Sequence, residues 1–144
     1  MSGLATVFSV LMVGHSLFGQ TGPSMLEQAL NGAPLRYNWD KSDSAEGVDA
    51  RAVLPLGGTT HLILTEAVPL ENHTQFSETD VYAQAFAGLA AAANPDAHIY
   101  VQETWHSLKS GTGQTVEHDA KADIPWRARL DQDLPVWENI VAQI

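Results

Sequence analysis

An apolar, partly β-branched run, Ala5 to Val13, stops abruptly at Gly14. It is too short to cross a bilayer and reads as the buried central strand of a parallel sheet. Beyond it, Pro23 suits a first helical turn, and Met25, Leu26, Ala29 and Leu30 give a short apolar face ended by Asn31-Gly32. Pro34 to Trp39 reads as a second, short strand near the sheet edge. Residues 40–46 are small, polar and charged, as in a surface loop, and Val48 to Leu54 forms a brief helix closed by Pro55 and Gly57-Gly58. His61 to Thr65 is a compact third strand. Ser77 opens the longest helix, with Asp80 three residues on in the manner of a capping box. Tyr82, Phe86, Leu89, Ala90 and Ala93 share one face of that helix, and Asn94-Pro95-Asp96 ends it. Ala97 to His106 is the fourth strand, with Ile99 and Val101 on one face and His98 and Tyr100 on the other. A Gly/Ser/Thr-rich stretch, Ser107 to Thr115, suits a loop over a site. Helical spacing resumes from Ile124 to Ile144 through Trp126, Leu130, Leu134, Trp137, Ile140 and Ile144. Pro135 interrupts it, with Asp133 as the cap of a second segment.

Strand and helix thus alternate, and right-handed crossovers turn that order into an α/β fold. The expectation is a three-layer α/β/α arrangement of flavodoxin-like form, with four parallel strands in the order 2-1-3-4. No repeat or linker divides the 144 residues, so a single domain spans 1–144.

Composition narrows the chemistry. Hydrophobic residues make up 44% and charged residues 17%, which excludes a disordered chain and fits a soluble protein with a buried interior. A net charge of −10 argues against binding nucleic acid or an anionic membrane surface, and no stretch is long enough to span a bilayer. Without cysteine there is no disulfide, thiol nucleophile or cysteine metal site. The apolar start lacks a basic n-region and a cleavage site, so it reads as a strand and not a signal peptide, with a cytoplasmic location by default.

The chemistry-bearing positions lie at strand exits. Gly14-His15-Ser16-Leu17 follows the first strand, so Ser16 is either a nucleophile in the crevice above the sheet or an ordinary polar residue at a strand exit. Gly47 precedes a helix and is either an oxyanion donor or a loop glycine. Glu66 follows the third strand and is a substrate contact, a carboxylate of raised pKa or a solvated loop residue. Trp105 could wall a pocket. His106 is a substrate-side histidine, a substitute base or a hydrogen-bonded loop histidine.

The Gly-x-Ser-Leu string directly after a first apolar strand resembles the SGNH, or GDSL-type, hydrolases, with His15 where that family usually has Asp. The resemblance implies an esterase, lipase or carbohydrate deacetylase on a flavodoxin-like sheet. It also implies Ser16 as nucleophile, Gly47 as an oxyanion donor, a small-molecule ester as substrate and no cofactor. Two departures accompany it. The family's Gly-x-Asn-Asp at the third strand exit is replaced by Thr65-Glu66-Ala67-Val68, leaving Asn72 to reach back as a second oxyanion donor or backbone donors to serve alone. The family's late Asp-x-x-His, which supplies the base, is absent, since the last histidine is His118. Either the chain lacks a C-terminal strand and helix, the reading favoured by the open edge of strand four, or His106 or His73 supplies the base from another strand exit. Two other classes stand beside the serine hydrolase. One is a metal-dependent hydrolase using His15, Glu66, His73, Glu103 and His106; the other is a non-catalytic flavodoxin-like domain that binds a small ligand above the sheet.

Overall fold

The computed structural model of the chain describes residues 9–14, 26–30, 35–40, 46–47 and 49–144. Five strands form one sheet: β1 (Val10–Gly14), β2 (Leu26–Leu30), β3 (Glu46–Gly47), β4 (His61–Thr65) and β5 (His98–Gln102). Their spatial order is β3-β2-β1-β4-β5. β2, β1, β4 and β5 run parallel, and the two-residue β3 pairs antiparallel with the end of β2. The helices are α1 (Leu35–Asp40), α2 (Ala50–Val53), α3 (His73–Phe76), α4 (Thr79–Ala93) and α5 (Trp126–Ala142), with a 3-10 turn at Leu54–Leu56. The protein is a small α/β fold on a parallel sheet, and β1 lies inside that sheet.

The strand count and order differ from the four-stranded 2-1-3-4 expectation, and the cause lies between residues 26 and 40. Leu26–Leu30 is a strand, pairing with β1 from Val10↔Leu26 to Gly14↔Leu30, where a helix was expected. Leu35–Asp40 is a helix where a strand was expected. Both runs are shorter than two helical turns, so periodicity could not choose between states; a strand partner chose for the first. In the second, helical spacing puts Leu35 and Trp39 one turn apart, with Leu35 buried and Trp39 packed against the core.

Register aligns Leu11 with Leu62 and Ile99, and Val13 with Leu64 and Val101, on one face of the sheet. Leu35, Ala50, Phe86, Ala90, Trp137 and Ile140 bring α1, α2, α4 and α5 into the same cluster. Trp39 meets Phe86 edge-on at 5.0 Å between ring centroids. The opposite face carries the buried Met12 and, further out, a ladder of His61, His98 and Tyr100, with Tyr100 half-exposed. None of the described strand residues on that face belongs to the core cluster.

Two helix boundaries also move. α4 begins at Thr79, and Glu78, in left-handed backbone at φ 50°, precedes it without a side-chain cap. Ser77 faces His73 Nδ1 at 3.2 Å instead of closing a capping box. α5 runs unbroken through Pro135, so Asp133 lies inside a helix and caps nothing.

Candidate functional site

Parallel strands deliver their carboxyl ends to one edge of the sheet, the usual site of ligand binding in open α/β folds. Here that edge holds Gly14, Thr65 and Gln102. Gly14 has φ 147°, and a Cβ there would stand 2.2 Å from both the Thr65 carbonyl oxygen and its Cγ2. Only glycine permits so close an approach of β1 to the end of β4. Ser16 and His15 follow at once in the sequence and lie outside the described residues. Gly47 falls on edge strand β3, paired with Ala29 and separated from β1 by β2, two residues before Asp49, the N-cap of α2.

Glu66, directly after β4, is fully buried and so is not a solvated loop residue. Its carboxylate accepts from the Ala67 N–H at 2.8 Å and the Thr79 hydroxyl at 2.6 Å, and from the Leu35 backbone N–H. Burial raises its pKa above the ordinary value, and these hydrogen bonds, with the nearby His73, only partly offset the rise. One carboxyl group thereby ties the β4 exit to the first residues of α1 and α4.

His106 stands on the stretch that follows β5, and its ring is buried. Its Nε2 lies 2.5 Å from Asp133 Oδ2 on α5, so Nε2–H donates and the carboxylate accepts. Nδ1 is buried and has no hydrogen-bond partner among the described residues. The backbone is fixed on either side: Trp126 Nε1 donates to the His106 carbonyl at 3.0 Å, and the Leu70 N–H donates to the Trp105 carbonyl at 2.8 Å. Beside the pair opens a cleft of about 300 Å³ whose walls include Glu71, Asn72, Lys121, Arg129 and Asp133. Glu71 holds a left-handed φ of 44°, a conformation rare for non-glycine residues.

Arg129, one turn before Asp133, is buried and forms an ion pair with the buried Asp119 while donating to Ser110 Oγ at 2.9 Å. Burial alone would raise the Asp119 pKa, but hydrogen bonds from Arg129 and the Lys121 N–H, with the Arg129 charge, bring it below the ordinary value. The loop over the site is therefore pinned. Gly111, at φ 76°, packs so tightly on Pro125 that a Cβ would come within 2.5 Å of its Cα.

Of the residues singled out from the sequence, the cleft gathers His106 and Asn72. His73 contacts Ser77 and lines a smaller hollow with Asn72 and His118. Trp105 is half-buried beside His106 without lining the cleft, and Glu66 serves the strand exit. Asp133, expected only as a helix cap, joins the site with Arg129 and Asp119, which the sequence reading does not single out. Trp126, Arg129, Asp133, Trp137 and Ile140 form the inward face of α5, whereas Leu134 is 45% exposed. The signal available was the matching spacing of Arg129 and Asp133 with Trp126 and Trp137, masked by the assumption that leucines must face inward.

Among the described residues no three histidine, aspartate or glutamate side chains are grouped to hold a metal ion, and His15 lies outside them. No described helix is long and apolar enough to cross a membrane. No family model, no curated protein and no solved structure matches this chain.

Proposed function

We propose that the chain is a serine ester hydrolase of SGNH type on a flavodoxin-like sheet, with Ser16 as nucleophile and His106, oriented by Asp133, as general base. The observation that carries this reading is the His106 ring: one nitrogen is held by a carboxylate, and the other is buried and unpartnered among the described residues. A general base has that requirement. It also supplies, within the chain, the function that the absent Asp-x-x-His would otherwise perform. The position of β1 inside the sheet, ending two residues before Ser16 at the carboxyl edge, supports the nucleophile.

In the first step Ser16 Oγ bonds to the acyl carbon while its proton passes to His106 Nδ1. The imidazolium then gives that proton to the departing alcohol as the C–O bond breaks. Water repeats the sequence on the acyl-enzyme, releasing a carboxylic acid and restoring the serine. Asp133 keeps the hydrogen on Nε2 and stabilises the charged ring. The Ser16 and Gly47 N–H groups and the Asn72 amide are the oxyanion donors of this scheme. The polar cleft beside His106 receives the leaving alcohol, and a small neutral ester fits its volume.

A fluorophosphonate probe labels Ser16 in the wild-type protein, and Ser16→Ala abolishes labelling and p-nitrophenyl acetate hydrolysis. Asp133→Asn lowers kcat by about 10³–10⁴-fold through loss of the correct tautomer. Folded wild-type protein that neither labels nor outpaces Ser16→Ala ends the proposal. The cleft would then favour the second reading, a non-catalytic small-ligand domain.

A further inference from the structure

The two edges of the described sheet are finished differently. β3 has only two residues, whereas β5 has five, and its register with β4 runs without a bulge from His61↔His98 to Thr65↔Gln102. Natural sheets blunt their edges with lysine, proline, bulges or very short strands, and His98-Ile99-Tyr100-Val101-Gln102 has none of these. The His98 N–H donates to the Thr60 carbonyl at 2.9 Å, so by alternation the backbone groups of Ile99 and Val101 point away from β4. Among the described residues no further strand takes them up. Beside this edge, between β5 and the end of α5, lies a groove of about 300 Å³. Val101, Trp137, Val141 and Ala142 supply its apolar surface, and Glu103 and Glu138 its charge. Val141 is 54% exposed. Both carboxylates are exposed and, among the described residues, neither has a cationic partner.

We propose that the β5 edge binds an extended segment of another protein as an added strand, with an apolar side chain flanked by lysine or arginine. The outward N–H and C=O groups of Ile99 and Val101 give the backbone pairing, which is independent of the partner's sequence. The groove gives the selectivity: its apolar surface takes the central side chain, and Glu103 and Glu138 attract the cations on either side. Side chains two apart on a strand share a face at a spacing of about 7 Å, so one apolar residue and its two basic neighbours on that face span the groove. A second copy of this chain fits poorly, because it would bring the same carboxylates and a further net charge of −10 to the contact. No residue of the groove lines the cleft beside His106, so this site stands or falls independently of the hydrolase reading.

Fluorescence anisotropy of a labelled peptide, Thr-Lys-Thr-Val-Thr-Lys-Thr, titrated with the full chain, tests this. As a strand the peptide sets its valine between two lysines on one face. It binds the wild type saturably, and the same peptide with alternate backbone nitrogens methylated binds at least about tenfold more weakly, having lost its strand donors. The pair Glu103→Gln with Glu138→Gln weakens binding about tenfold through the lost cation contacts, and Val141→Asn does so through the lost apolar surface. All three positions are exposed, so thermal melts of these variants match the wild type. No saturable binding to the folded wild type overturns the proposal. Equal binding by the methylated peptide, or by both variants, assigns the affinity to bulk attraction by an acidic protein and overturns it too. A wild-type dimer in sedimentation that Val141→Asn dissociates gives the edge to a second copy instead, which also overturns it.

Discussion

Glu66 and Asp119 are both buried carboxylates, yet their neighbours set them in opposite directions. Glu66 has hydrogen bonds and the nearby His73, yet desolvation wins and its pKa is raised; Asp119 has the Arg129 guanidinium, and its pKa is lowered. The consequences for stability have opposite signs. Between the ordinary glutamate value of 4.5 and the raised folded value, the unfolded chain has lost a proton that the folded chain retains. Stability from Glu66 is thus full below that window and declines as pH rises through it. Asp119 contributes stability above its ordinary value of 3.8 that disappears as pH falls through the lowered folded value. Urea midpoints measured from pH 3 to 8 fall at the acid end, and Glu66→Gln removes the decline above about pH 4.5 while leaving the acid limb in place. A wild-type decline unchanged in Glu66→Gln would show that another group sets it. The burial of Glu66 was not legible from Thr65-Glu66-Ala67 alone, since its partners Thr79 and Leu35 are distant in sequence.

Among the elements, α5 carries the most consequence for the site. Its inward face is part apolar, through Trp137 and Ile140, and part charged, through Arg129 and Asp133. The apolar half anchors the helix to the core, and the charged half fixes the loop that bears His106. Breaking one partner of a buried ion pair leaves an uncompensated charge, so Arg129→Met costs about 3–5 kcal/mol in chemical denaturation. Replacing both partners, as in Arg129→Met with Asp119→Leu, recovers most of that loss. Additive losses in the double variant would show that the two groups act independently. That Ile124 to Ile144 is helical was legible from spacing alone. Which stripe faces inward was not, because Leu130 and Leu134 fit the helical period as well as Arg129 and Asp133, and only a buried aspartate and a buried histidine made charge the better choice.

For the molecule as a whole, a net charge of −10 means that folding gathers like charges together. Raising salt from about 10 mM to 150 mM shortens the screening length from about 30 Å to 8 Å, so Tm rises by a few degrees. A flat or falling Tm would mean that exposed ion pairs such as Arg36–Glu78 outweigh the repulsion. The sequence by itself determined the α/β class, the parallel sheet with the run ending at Gly14 inside it, and the faces of β5, because long apolar runs and period-two alternation are local signals. Tertiary structure alone decided that residues 26–30 pair as a strand while 35–40 coil. It likewise decided that Glu66 is buried and that Asp133 meets His106. Each of those outcomes depends on a partner far along the chain, and an isolated segment holds no record of which partner it will meet.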